Sequence, residues 1–188
     1  MSTEFSIRSE DMPPEMGELL TLYPRDGWEA HPGFRDRTRH WLGAHQMFRR
    51  LANIVRTDCE RFLDGARAPE DFAPRLHHFG GALVGNLKGH HGWEDYEFFP
   101  ELSAADPRFD RGLEILEKDH EALDEVLERF TDVALAAIRQ TQGDAEGVRA
   151  SVGRLHGTAE VIEAFLDRHL GDEEDLAVPI ILHHRLRG

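Results

Sequence analysis

The sequence predicts an all-α protein: an up-down-up-down four-helix bundle over residues 34–188, preceded by an irregular N-terminal arm over residues 1–33. Three observations carry that prediction. Four long stretches repeat apolar residues at spacings near three and four, the period of a helix with one buried face. No alternating strand pattern and no Asn-Gly hairpin signal competes with them. The links between the stretches are short, which makes consecutive helices antiparallel neighbours.

The arm carries Pro13, Pro14, Gly17, Pro24, Gly27, Pro32 and Gly33 among mixed polar residues. That composition leaves room for a short helix around Met16 to Leu22, with Trp28 and Phe34 expected to pin the arm to the body. The first long helix is expected over roughly Phe34 to Asp64, with Trp41, Phe48, Leu51, Ile54, Val55 and Phe62 on its apolar face and Gly65 as its stop. The second opens between Pro69 and Pro74, both acceptable near a first turn, and runs to about Pro100. The third starts at Asp106-Pro107, read as an N-cap followed by Pro at the first helical position. It continues through Leu113, Leu116, Leu123, Val126, Leu127 and Phe130 to Gly143. The fourth starts near Asp144 and carries Val152, Leu155, Ile162, Phe165 and Leu166 toward Pro179.

Composition narrows the function. Apolar residues at 40% and charged residues at 31% describe a soluble globular chain, and 188 residues suffice for one domain with its own core. No apolar run is long enough to span a membrane, and the N-terminus lacks the shape of a signal peptide, so a cytoplasmic location is expected. The net charge of −14 argues against nucleic acid and anionic lipid as partners, because both reward Lys and Arg. It is compatible with cation uptake, although solubility explains it more simply. The lone Cys59 excludes an internal disulfide framework, a thiolate zinc site and an all-Cys iron–sulfur cluster. Nothing in the sequence indicates an oligomeric state.

Within the helices lies an internal repeat. The block from His90 to Pro100 (HHGWEDYEFFP) returns from His169 to Pro179 (HLGDEEDLAVP), with His90, Glu94 and Pro100 matched by His169, Glu173 and Pro179, each 79 positions on. Upstream, Arg75-Leu76-His77 matches Arg154-Leu155-His156, Leu83 matches Ile162 and Leu87 matches Leu166. A His and a Glu four apart share a helix face one turn apart, close enough to grip one metal centre. In an antiparallel bundle, residues equally far from a shared turn lie at one height, and that count adds His45 and His120 to the same layer.

The predicted ligand set is therefore His45, His90, Glu94, His120, His169 and Glu173. Four imidazoles and two carboxylates suit iron, with manganese or zinc also compatible on ligand type. With both Glu bridging two ions, the protein supplies four bonds to each. An oxo or hydroxo bridge raises that to five and leaves room for a small exogenous ligand. Two unpaired Glu in a bundle core would be costly unless protonated or metal-bound.

Neighbouring polar residues receive weaker readings. His91 with Asp95 offers a rival register, which the repeat disfavours because position 170 is Leu. Glu174 competes with Glu173, and otherwise joins Asp172 and Asp175 on a solvated acidic face. His40 points away from the ligand face and is a candidate for outer support. His77 and His156 are expected to cap or to hydrogen-bond across the bundle. Trp41, Trp93, Phe98, Phe99 and Phe165 are core residues first. A ferritin-like site needs two ExxH motifs, and this chain has one, Glu117xxHis120.

These residues resemble those of the hemerythrin-like (HHE cation-binding) family. The likeness rests on His45 followed by QMFRRL, the HxxxE…FFP block from His90 to Pro100, His120 within KDHEALDEVL, and His169xxxGlu173, and it covers roughly residues 35–180. It implies a non-haem di-iron centre inside a four-helix bundle. Oxygen-carrying hemerythrins have a second His four positions after the third-helix His, where this chain has Asp124. They also pair the last His with Asp five residues later, where this chain has Glu174. The pattern is closer to bacterial members, including iron-centre repair proteins, although the Cys-containing N-terminal module of some of those has no counterpart here. A carboxylate-rich site weighs against plain reversible oxygen carriage. Three functional classes stay open: binding or sensing of O2, NO or peroxide; an enzyme of peroxide or NO detoxification or iron-centre repair; and iron handling. His40 and Asp124 are candidate general acids for peroxide chemistry.

Overall fold

A computed structural model describes residues 7–8, 10–140 and 145–186. Short helical turns lead into α1 (Glu18–Leu22), followed by α2 (Asp36–Leu63), α3 (Pro69–Trp93), α4 (Phe99–Ala105), α5 (Asp110–Gln140) and α6 (Ala145–His184). A π-helical turn, Glu94–Phe98, joins α3 to α4, and the described residues contain no strand. The described residues are all-helical in class, as the periodicity predicts. Each long helix packs on two others: α2 on α3 and α6, and α5 on α3 and α6.

The buried stripes follow directly from the sequence. Helix α2 buries Trp41, His45, Phe48, Ala52, Val55, Cys59 and Phe62, alternating steps of four and three along one face. It stops at Gly65, whose φ of 75° is readily reached only without a Cβ. There Ala66 N–H reaches Arg61 O at 2.8 Å and Gly65 N–H reaches Phe62 O at 3.0 Å, the paired bonds of a Schellman cap. Helix α5 buries Leu113, Leu116, His120, Leu123, Leu127, Phe130, Ala134 and Ala137 on one stripe by the same rule.

Three boundaries depart from the sequence expectation. The second stretch does not end at Pro100 but continues through the π turn to Ala105. Pro100 has no N–H to continue an α ladder, and Phe99 N–H bonds instead to Glu94 O, five residues back. Asp106 does not cap α5 with its side chain. Its carboxylate accepts from Arg108 Nε and Nη2 at 2.8 and 2.7 Å and from His184 Nε2 at 2.8 Å, tying this turn to the end of α6. The fourth helix runs past Pro179 to His184, because Leu176, Ala177, Val178, Ile180, Ile181 and Leu182 are buried on all sides and hold the helix through the missing bond. The turn expected around Gln142 to Asp144 lies outside the described residues.

Part of that covering comes from the arm. Met16 and Leu19, in the short helical turns expected near Met16 to Leu22, share a hydrophobic cluster with Trp28, Trp41, Leu113 and the end of α6. Phe34 packs against the same cluster.

Cys59 is fully buried, and its thiol is pushed up to about 12 by burial and by the nearby charges of Asp58 and Glu60. A disulfide reagent at pH 8 is expected to leave the native protein unlabelled and to titrate one thiol after denaturation. Rapid labelling of the native protein would contradict this burial.

Candidate metal centre

Helix α2 contributes His45, the end of α3 and the π turn contribute His90 and Glu94, α5 contributes His120, and α6 contributes His169 and Glu173. All six predicted residues meet in one layer. Donor atoms of His45, His90 and Glu94 lie within 4.8 Å of one another, as do those of Glu94, His120 and Glu173. His45, Glu94, His169 and Glu173 are fully buried, and His120 nearly so.

Each carboxylate turns one oxygen to each side. Glu94 Oε1 lies 3.1 Å from His90 Nε2 and 3.8 Å from His45 Nε2, while its Oε2 lies 3.7 Å from His120 Nε2. Glu173 does the reverse. Its Oε1 lies 3.1 Å from His120 Nε2 and 3.2 Å from His169 Nε2, and its Oε2 lies 3.5 Å from His45 Nε2. His45 Nε2 and His90 Nε2 face each other at 3.1 Å. Nε2 atoms and carboxylate oxygens thus converge on a common interior.

The far sides of the rings are held from outside. His45 Nδ1 donates to Glu174 Oε1 at 3.1 Å, and His120 Nδ1 donates to Asp95 Oδ1 at 2.7 Å. His169 Nδ1 faces Asp119 Oδ2 at 3.6 Å, an electrostatic contact too long for a hydrogen bond. Such carboxylate–imidazole pairs fix the tautomer and leave the Nε2 lone pair aimed inward. The carboxylates are themselves anchored by the arm. Arg8 Nη2 donates to Asp119 Oδ2 at 2.8 Å, and Arg25 Nη1 donates to Glu174 Oε2 at 2.8 Å, joined there by Arg49 Nη1 on Oε1 at 2.8 Å. Inside, Trp41 Nε1 donates to Glu94 Oε1 at 2.7 Å.

An aromatic ring lies against each predicted imidazole. Trp41 is 4.2 Å from His45, Phe48 5.0 Å from His90, Phe99 5.6 Å from His120 and Phe165 5.5 Å from His169, measured between ring centroids. This shell keeps water from the donors and lowers the local dielectric, which strengthens every interaction inside it.

Burial opposes charge at all these groups, yet their neighbours prevail. For His45, burial pulls the pKa down, but Glu174 and Glu94 raise it to about 9. For His120, burial is likewise outweighed by Asp95 and Glu173, which raise it to about 10. Burial pushes Glu173 up, but His169 and His120 hold it well below the usual carboxylate range. Glu94 is raised by burial and by the charge of Glu173, and the neighbouring imidazoles of His45 and His90 still bring it down. Two anionic carboxylates therefore sit beside His45, His120 and His169, each of which they draw toward the protonated form.

Several donors are left over. Glu94 Oε2, Glu173 Oε2, both ring nitrogens of His169 and both of His91 are buried without a hydrogen-bond partner among the described residues. Native interiors rarely leave such atoms orphaned, and a bound ion is one of the standard reasons. Nitrogen and carboxylate oxygen in this ratio fit a borderline divalent metal such as iron.

Two residues near the cage lie elsewhere than the sequence suggested. Glu174 is buried rather than solvated, because Arg25 and Arg49 both reach it while it holds His45, so it supports a ring where Glu173 faces the interior. His91, set aside because its repeat partner is Leu170, is buried beside His120 and His169. A sequence signal for it exists. Phe72, Leu76, Gly80, Leu83, Leu87, His91, Glu94 and Phe98 form one buried stripe in steps of four and three. Asp95, the other half of the rival register, bonds to His120.

His40 and Asp124 are exposed and outside the cage, so neither is placed to serve it as a general acid, and Glu117 is exposed as well. His156 reaches across to Glu60 Oε1 at 3.4 Å as expected, whereas His77 is exposed. No signal local to the arm announced the roles of Arg8 and Arg25.

No curated protein and no solved structure matches this chain. None of the described helices is long and apolar enough to cross a membrane. The hemerythrin HHE cation-binding domain matches residues 36–181, well over half the sequence and the whole of the cage. Together with the convergent His and Glu residues, that match shows that the chain belongs to the hemerythrin HHE cation-binding domain family.

Proposed function

We propose that this protein carries a non-haem di-iron centre and that a small ligand, O2, NO or peroxide, binds or reacts there. His45, His90, Glu94, His120, His169 and Glu173 would hold the two ions, with each Glu placed to serve both. One observation carries this reading above the others: each buried carboxylate presents one oxygen to the His45 side and the other to the His120 side. That is the arrangement two adjacent cations need and one cation does not. On this reading α2, α3, α5 and α6 form an up-down-up-down bundle of the bacterial H-HxxxE-H-HxxxE type, residues 1–33 are an arm attached to it, and the protein works in the cytoplasm.

The protein's contribution is preorganisation. Glu174 and Asp95 hold the rings of His45 and His120 with Nε2 inward, and Trp41 fixes Glu94 Oε1. The aromatic shell excludes bulk water and restricts entry to small molecules. Bound ferrous ions supply reducing equivalents and Lewis acidity toward the diatomic or peroxide ligand.

Anaerobic reconstitution with ferrous iron, metal counting, and optical spectra after O2, NO and peroxide separately test the reading. Two irons per chain with a stable, reversible oxygenated band support ligand binding. Rapid oxidation with peroxide or NO turnover supports the enzyme of detoxification or repair. Two irons that are readily surrendered to an acceptor protein support iron handling. One iron or none removes the di-iron proposal, and parallel loading with Mn and Zn shows which metal the cage prefers.

The outer donors carry a separate expectation. Trp41→Phe keeps the ring against His45 but removes the N–H on Glu94, and is expected to weaken ferrous binding by on the order of 10-fold. Competition against a chelator measures it, and wild-type affinity would show that the indole bond is dispensable.

A further inference from the structure

We propose that His91 is itself a metal ligand, completing a three-imidazole position with His120 and His169. This rests on the di-iron reading and adds to it a residue outside the predicted set.

His91 is only 4% exposed, and neither of its ring nitrogens has a hydrogen-bond partner among the described residues. Leaving such a group buried and unpaired costs about 1–3 kcal/mol, so an imidazole without a role is disfavoured at this position. Its surroundings are not apolar packing alone. One donor nitrogen each from His91, His120 and His169 lies within 4.8 Å of the other two. The ring centroids are 4.0 Å apart for His91 and His120, 4.9 Å for His120 and His169, and 5.7 Å for His91 and His169. Three rings this close bring one nitrogen each into a common cluster, His91 stacked on His120 and His169 edge-on to both.

The internal repeat sharpens the point. The position equivalent to His91 is Leu170, which is fully buried in the core. Packing at this place in the repeat is therefore satisfied by an aliphatic side chain. An imidazole in the first copy needs a different reason, and the adjacent His120 and His169 provide it. The two sides of the cage then differ. One has His45 and His90 with Glu94 Oε1 and Glu173 Oε2. The other has His91, His120 and His169 with Glu94 Oε2 and Glu173 Oε1. The second side has the additional protein donor and is expected to hold its ion more tightly.

His91→Leu places the side chain of the second copy into the first. Anaerobic ferrous titration against a competing chelator, on wild type and variant, is the test. The proposal expects wild type to hold two ions, and the variant to bind one of them at least about 10-fold more weakly with the thermal midpoint of the metal-free protein no lower than that of the wild type. Two ions in the wild type and two at wild-type affinity in the variant would overturn the role of His91 while leaving the di-iron reading intact. Fewer than two ions in the wild type would overturn both. A second measurement needs no variant. Nitrogen NMR of zinc-loaded wild type labelled at histidine should count five metal-bound imidazoles, and a count of four would overturn the proposal independently of how the variant folds.

Discussion

Glu173→Ala is expected to lower the iron content of the reconstituted protein from about two ions per chain to one or fewer. Glu173 is the carboxylate most deeply engaged in the cage. Its Oε1 lies 3.1 and 3.2 Å from the Nε2 atoms of His120 and His169, and its Oε2 lies 3.5 Å from that of His45. Removing it withdraws one oxygen from each side and half of the carboxylate charge that offsets the cations. Even outer residues that only orient ligands typically account for roughly 10–100-fold in metal affinity, so a bridging ligand should exceed that. Glu94→Ala is expected to act in the same direction through Oε1 and Oε2. Metal analysis after desalting measures both, with circular dichroism to show that the helices persist. Wild-type iron content in both variants would show that the bridges are assigned wrongly.

Phe130→Ala should separate stability from metal binding. Phe130 is 1% exposed in the same core cluster as Leu83, Leu127 and Phe72. Its ring packs so closely on α3 that a Cβ at Gly80 would fall 3.3 Å from it. Truncating such a ring typically costs about 3–5 kcal/mol, a large part of a stability of roughly 5–15 kcal/mol. For a chain of this size that is a fall in thermal midpoint of roughly 10 °C. Phe130 is ten residues beyond His120 on α5, about 15 Å along the axis, so iron content at low temperature should stay at the wild-type value. A midpoint within about 2 °C of wild type would mean that the surrounding side chains collapse into the space.

The helices were legible because their signals are local. The steps of three and four in α2 and α5, and Gly65 after α2, come from residues within a turn or two of one another. The six predicted cage residues were legible for a related reason. A helix advances by a fixed rise, so counting from a shared turn places side chains at one height without any knowledge of packing. The repeat said nothing of the surroundings of one residue, His91. Leu170 at the matching place disfavours a ligand register through His91, and the two copies diverge only beyond it, the first through a π turn at Glu94–Phe98 and the second helical past Pro179 to His184. The buried stripe of α3 runs through His91 and carries the signal for its burial.

The outer carboxylates were not legible. Glu174, one residue from Glu173 in an acidic run, reads as solvated until Arg25 and Arg49 are seen to reach it. Asp119 looks like an ordinary helix-surface residue until Arg8, 111 positions away, is found against it. Their burial depends on an arm whose own sequence is Pro- and Gly-rich and carries no periodic signal.

By itself, then, the sequence determined that this protein is helical and that four His and two Glu share one layer, because helical period and rise are properties of the backbone and need no partner. Tertiary structure decided which oxygen of each Glu faces which imidazole, that His91 is buried beside His120 and His169, and that Arg8 and Arg25 reach the outer carboxylates. Those outcomes depend on how the helices rotate and pack against one another, and a buried polar atom takes whatever donor or acceptor that packing brings within reach.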